Sequence, residues 1–141
     1  MRILVIFDLD GTLLSSEGRE HGAKELLEAL HRNGITLAIA SRNDFYVAIE
    51  KLETVGVKQY FAHIAADFRP KGYQVRDMLR IFAIQNRHFD EVLFVDDTQS
   101  NIESVSRALP SVKCIHVGKR GQELRELEKI VMRYLQDSNV T

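Results

Sequence analysis

Cysteine is almost missing from this 141-residue sequence: the one copy is Cys114, so no disulfide framework can form within the chain. A surplus of one charge sign is missing too. The formal net charge is −1, and no global field points toward nucleic acid or an anionic membrane. No stretch approaches the roughly 18 consecutive apolar residues of a membrane span. The apolar start at residues 1–7 meets two acids by Asp10, unlike a secretory leader. Repeats, low-complexity tracts and linker-like segments are absent as well. These absences lead to the expectation of a cytoplasmic protein forming one domain over residues 1–141, with no membrane contact and no nucleic-acid signal. What is present is an ordinary globular balance, 45% hydrophobic and 28% charged. Such a chain can bury a core without disulfides or a structural metal.

Five short apolar runs punctuate the chain, at residues 3–7, 35–40, 63–66, 92–95 and 112–117. Apolar residues on consecutive positions suit strands covered on both faces. Cys114 lies in the last run and is expected to be a small buried hydrophobe. Between the runs, apolar residues recur at helical spacing, and each set is expected to face the core. The sets are Ala23, Leu26, Leu27 and Leu30, then Phe45, Ala48, Ile49 and Leu52, then Val75, Met78, Leu79 and Phe82. Ile102, Val105 and Leu109 form a shorter stripe ended by Pro110, and Leu124, Leu127, Val131 and Leu135 form the last. Asn43 is expected to cap the second helix, with Gly34 and Gly56 as stop signals. Alternating strand and helix predicts an α/β fold, a Rossmann-like, doubly wound parallel sheet of five strands flanked by helices.

In such sheets, ligands bind outside the carboxyl ends of the strands. Asp8, Asp10, Gly11 and Thr12 follow the first run, and Ser41, Arg42 and Asn43 the second. Lys71 lies a few residues beyond the third, where a helix opens, and Asp96 and Asp97 follow the fourth. Each feature alone has an ordinary explanation as a helix cap, a solvated turn or a surface lysine. Two acid pairs, a serine and a lysine converging on one rim are harder to explain that way. Carboxylates packed together are unfavourable unless a cation neutralises them. Hard oxygen ligands suit magnesium, which often bridges to a phosphate. Lysine and a serine at a helix start suit phosphate oxygens. The five histidines show no ligand spacing and are assigned no catalytic role.

The stretch Asp8-Leu9-Asp10-Gly11-Thr12-Leu13 resembles the first motif of the haloacid dehalogenase superfamily. Ser41 resembles its second motif, Lys71 its third, and Asp96-Asp97 with Asn101 its fourth. The resemblance implies a magnesium-dependent phosphomonoester hydrolase that works through an aspartyl-phosphate. In it Asp8 is the nucleophile, Asp10 the general acid and base, and Lys71 the electrostatic partner. Ser41, Arg42, Asn43 and Lys71 would bind phosphate. The ion, Mg2+, would be held by the Asp8 carboxylate, the Asp10 carbonyl and Asp96. Thr12 would steady Asp10, Asp97 would act through water or by orienting Lys71, and Asn101 would support from behind. The substrate is expected to be a phosphorylated small molecule or a phosphoprotein.

Many members of that superfamily carry a cap domain. Here only residues 13–19 separate the first motif from the next helix, room for a small flap tipped by Ser15, Ser16, Glu17 and Gly18. The interval between Ser41 and Lys71 holds one helix and one strand, so the chain resembles a capless member. Within the superfamily it resembles the magnesium-dependent phosphatase 1 family, in the stretch Val92-Leu93-Phe94-Val95-Asp96-Asp97, in Asn101-Ile102 and in Cys114-Ile115-His116-Val117. It departs from that family at Gly11, where a tyrosine is usual, and around Lys71. Two alternatives stand beside hydrolysis. One is phosphotransfer on the same fold. The other is a phospho-accepting receiver-like signalling domain, with Asp67 as acceptor and Lys119 as its lysine.

Overall fold

The computed structural model describes residues 1–15, 22–118 and 122–139. The expected flap tip at Ser16, Glu17 and Gly18, together with His21 and Lys119, lies outside the described residues. Strands and helices alternate in the order β1 (Ile3–Phe7), α1 (Ala23–Arg32), β2 (Thr36–Ser41), α2 (Phe45–Thr54), β3 (Phe61–Ala66), α3 (Lys71–Ile84), β4 (Glu91–Asp96), α4 (Gln99–Ala108), β5 (Lys113–His116) and α5 (Gln122–Asn139). A short 3-10 turn, Lys58–Tyr60, leads into β3. Among the described residues no helix is long and apolar enough to cross a membrane.

The five strands form one parallel sheet in the spatial order β3-β2-β1-β4-β5. Every residue of β1 is buried, as its unbroken apolar run requires for a central strand with helices on both faces. Alternate β1 side chains serve two cores. Ile3, Val5 and Phe7 pack with α1, α5 and the buried Ala48 and Leu52 of α2, whereas Leu4 and Ile6 pack with Val75, Met78 and Phe82 of α3 and Val105 of α4. The chain walks outward from β1 to β2 and β3, then returns to lay β4 on the other side of β1. The sheet therefore reverses its winding between β1 and β4. Outside the carboxyl ends of those two strands is where this fold opens a crevice for ligands.

Three expectations change at the edges. The α2 cap is Asp44, not Asn43: its carboxylate accepts from the backbone N–H groups of Tyr46 and Val47 (3.0 and 3.2 Å). Phe45 does not face the core but is 43% exposed, because α2 flanks the edge strand β3 and has little sheet to cover. Cys114 is half-buried for the same reason, since β5 is the opposite edge.

Candidate active site

The carboxyl ends of β1, β2 and β4 deliver three groups to the crevice. Asp8 follows β1 directly, its backbone N–H donating to the Val95 carbonyl (3.0 Å), which fixes it beside the end of β4. Asp96 is the final residue of β4 and Ser41 the final residue of β2, and both are buried. Lys71 is the first residue of α3, directly after Pro70 at the cap position.

Lys71 is the centre of the arrangement. Its Nζ donates to Asp8 Oδ1 (2.9 Å), to Asp96 Oδ2 (2.9 Å) and to the Ala40 carbonyl (2.6 Å), and the side chain is 1% exposed. A buried lysine with three oxygen acceptors is satisfied, whereas an unpaired one would be expelled or neutralised. The Phe94 ring lies 5.6 Å from the ammonium and shields it from solvent on one side.

The remaining carboxylate oxygens are each held. Thr12 Oγ1 donates to Asp8 Oδ2 (3.2 Å) and lies 3.4 Å from Asp97 Oδ1. The Thr98 N–H donates to Asp96 Oδ1 (2.9 Å), and Asn101 Nδ2 reaches both Asp96 oxygens (3.3 and 3.2 Å). Oxygens of Asp8, Asp96 and Asp97 lie within 4.8 Å of one another. Burial, with added repulsion from Asp96 and Asp97, pushes the Asp8 carboxyl up from 3.8 to about 7, against the opposing pull of the Lys71 ammonium. Three carboxylates against one ammonium leave an excess of two negative charges when all are ionised, which one divalent cation would offset. The all-oxygen donor set suits a hard ion such as Mg2+.

Gly11 makes this packing possible. Its φ is +84°, a conformation costly for any residue with a side chain, and a Cβ there would sit 2.5 Å from Asp97 Oδ2. A side chain at Gly11 would have to adopt this left-handed turn and also displace the Asp97 carboxylate.

The other expected residues divide. Asp10 is exposed and turns outward, its carboxylate accepting from Lys51 Nζ (2.7 Å) and Asn43 Nδ2 (3.2 Å). Asp97 joins Asp8 and Asp96 as the third carboxylate of the cluster. Arg42 reaches across the rim to the Phe68 carbonyl (3.3 Å). Thr12 steadies Asp8 rather than Asp10, since the turn at Gly11 carries Asp10 away. Lys71 is oriented by Asp8 and Asp96, not by Asp97. Two contributors carry no sequence signal. Lys51 belongs to a helix face and looks like an ordinary surface charge. Gln74 is fully buried, and its Nε2 donates to the carbonyls of Ser41 (2.9 Å) and Asp67 (3.1 Å), tying the end of β2 to the loop after β3.

Residues 20–117, 98 of the 141, match the family described as haloacid dehalogenase-like hydrolase. The chain belongs to that family. The matched segment contains Ser41, Lys71, Asp96 and Asp97 and begins after Asp8 and Asp10, so the family assignment and the first motif are separate observations. A search of curated proteins found no match. Among solved structures, the chain is similar to the N-terminal part of a Bacteroides fragilis protein containing a phosphatase domain complexed with Mg, at 21% identity and a TM-score of 0.72. That alignment covers 89% of this chain and 39% of the other, so the chain spans well under half of that structure's length. It is also similar to a haloacid dehalogenase-like family protein of Streptococcus pneumoniae (12% identity, TM-score 0.68, covering 95% and 98% of the two chains). A third is the HAD domain of the Legionella pneumophila effector protein Lem4 (13% identity, TM-score 0.71, 100% of both chains). At these identities the likeness is one of fold. No cap domain is evident in the haloacid dehalogenase-like core described here.

The receiver alternative fails on strand order. A receiver sheet runs 2-1-3-4-5 and has its third strand in the middle. Here β1 is in the middle and β3 is an edge strand. Asp67, the acceptor in that alternative, lies beyond this edge and is paired with Arg69 (3.0 Å).

Proposed function

We propose that this haloacid dehalogenase-like chain, residues 1–141, is a phosphomonoester hydrolase in which Asp8 attacks phosphorus. The observation that carries the proposal is the buried set Asp8, Lys71 and Asp96, joined by Asp97. A pure packing role accounts poorly for three carboxylates and an ammonium gathered at the one crevice the sheet provides.

In the first half-reaction an Asp8 carboxylate oxygen bonds to phosphorus while the bond from phosphorus to the ester oxygen breaks. The leaving oxygen takes a proton from Asp10, whose carboxyl must first part from Lys51 and Asn43 and turn toward the crevice. The product is an aspartyl-phosphate on Asp8. In the second half-reaction Asp10 accepts a proton from water, the resulting oxygen attacks phosphorus, and Asp8 leaves as a free carboxylate. Splitting one displacement into two lowers each barrier, and positioned proton transfer contributes about 10²–10⁴-fold. Lys71 keeps Asp8 oriented and offsets charge on the phosphoryl oxygens. Ser41, with the backbone of Arg42 and Asn43, supports the phosphoryl group.

Asp8, Asp96 and Asp97 would hold the divalent ion, with the Asp10 carbonyl as a further candidate ligand. When bound, Mg2+ supplies charge neutralisation that lets an anionic nucleophile meet an anionic phosphate. A carboxyl pushed toward neutrality by burial, with added repulsion from Asp96 and Asp97, needs such a counter-charge to serve as a nucleophile.

The likeness to magnesium-dependent phosphatase 1 is not extended to substrate. The tyrosine usual there cannot replace Gly11 while Asp97 keeps its place.

The test is turnover of 4-nitrophenyl phosphate with Mg2+ by the wild-type chain and by Asp8→Asn. Asp8→Asn is expected to lose at least about 10³-fold, as nucleophile removal does in covalent enzymes, while its circular dichroism stays unchanged. Undiminished turnover by Asp8→Asn would remove the nucleophile assignment.

A further inference from the structure

Outside the carboxylate cluster, a groove of about 570 Å³ runs between α3 and α4. Both helices start at the rim of the crevice. The groove's upper mouth is formed by Pro70, one residue before Lys71, and by Ser100, one residue before Asn101. Its walls then descend along Tyr73, Arg76 and Arg107.

The charge in the groove is opposite to that of the carboxylate cluster. Arg76 and Arg107 line it, against the single carboxylate of Glu103. Glu103 is occupied in part by Gln99 Nε2 (3.3 Å). Among the described residues neither arginine has an ion pair, whereas Arg69 nearby is held by two carboxylates, Asp67 and Asp77 (3.0 and 2.7 Å). Arg76 is half-buried and rests on the Tyr73 ring (5.7 Å to the centroid), which limits its rotamers and leaves the guanidinium donors available. Ser100 and Ser104 add hydroxyls to the lining. A guanidinium held by a ring, with a second guanidinium and two hydroxyls lining the same groove, is the chemistry that recognises carboxylate or phosphate.

We infer that the groove between α3 and α4 is an anion-binding subsite for a second acidic group, phosphate or carboxylate, on the phosphoester whose phosphoryl group meets Asp8. The inference rests on the proposed hydrolase activity for its substrate role but not for its anion binding. It narrows the substrate class to phosphoesters with a second anionic group on the leaving side. It also assigns α3 two roles: its first residue supports the chemistry, and Arg76, a little over one turn later, positions the substrate.

Two experiments on the full chain test it. First, ¹⁵N-labelled protein is titrated with sodium pyrophosphate and, separately, with citrate. The Nε–Hε signals of Arg76 and Arg107 and the Gly72 amide should move saturably. Arg76→Gln and Arg107→Gln should each weaken binding about ten-fold, the cost of losing one charge-assisted contact, and Glu103→Gln should tighten it. The tighter of the two probes identifies the acidic group as phosphate or carboxylate. Static arginine signals, or wild-type affinity in both arginine variants, overturn the subsite. Second, turnover is compared between 4-nitrophenyl phosphate and alkanediol bisphosphates of increasing length. The arginine variants should raise KM for the best bisphosphate about ten-fold, with kcat kept and 4-nitrophenyl phosphate unaffected. Arginine signals that respond while KM does not overturn the substrate role. If no phosphoester is turned over, the hydrolase proposal fails, and the titration still decides whether the groove binds anions.

Discussion

Lys71 shows how much of this site is electrostatic balance. Removing its ammonium leaves Asp8 and Asp96 buried with no cation between them, the situation in which a broken buried pair costs about 3–5 kcal/mol. Lys71→Ala should therefore lower the melting temperature in the absence of metal. Added Mg2+ should recover much of that loss without recovering turnover, as differential scanning calorimetry and a phosphatase assay would show together. The Asp8 carboxyl gives a second prediction. Its folded value of about 7 stands above the ordinary 3.8, so its contribution to stability is fully present below pH 3.8 and is lost as pH rises through about 7. Metal-free protein should lose this part of its stability across that window. Mg2+ binding, which needs the ionised carboxylate, should release a proton and weaken as pH falls below about 7. Calorimetric titrations in two buffers of different ionisation enthalpy would count the proton; a heat independent of buffer would contradict the coupling.

Among the elements, α3 and α4 are the pair most sensitive to a small change. The Gly72 N–H donates to Ser104 Oγ (3.0 Å), and a Cβ at Gly72 would meet the Ser104 carbonyl oxygen at 2.8 Å. Gly72→Ala must push the helices apart, at a cost of about 1–3 kcal/mol typical of overpacking, and it displaces Lys71 next door. Reduced turnover together with reduced stability is the expected result; a variant equal to wild type would show that the helix contact is soft. Asp44→Ala at the α2 cap should cost about 1 kcal/mol and leave turnover nearly intact, a control for the difference between local stability and the site. The strands and most helix faces were legible because consecutive apolar residues and helical spacing report burial directly. The exceptions lie at the sheet's edges, as with Phe45 and Cys114, where periodicity cannot say how much sheet remains to be covered. The positions of Asp8, Lys71 and Asp96 followed from one rule, that each strand's carboxyl end faces the ligand crevice. The outward turn of Asp10 toward Lys51, the grip of Thr12 on Asp8 and the bridge made by Gln74 did not follow. They depend on a left-handed turn at Gly11 and on which side chains meet across 33 or more residues.

For the molecule as a whole, strand order sets the chemistry. Placing β1 between β2 and β4 brings the ends of the first, second and fourth strands to one crevice, and the crossover into α3 drops Lys71 onto it. The same order puts Asp67 at the periphery and so separates this chain from a phospho-accepting regulator on a similar sheet. Above the crevice the carboxylate cluster carries a negative excess, and beside it the α3–α4 groove carries a positive one. This division fits a substrate with one anion to be attacked and another to be held. Stoichiometric covalent capture of phosphate at Asp8 tests that account most directly. Protein mixed with Mg2+ and 4-nitrophenyl phosphate, quenched in acid and digested, should yield a phosphorylated peptide whose fragmentation places the group on Asp8, with no such peptide from Asp8→Asn. Turnover accompanied by phosphate on another residue, or by none at all in a quench faster than hydrolysis, would contradict it.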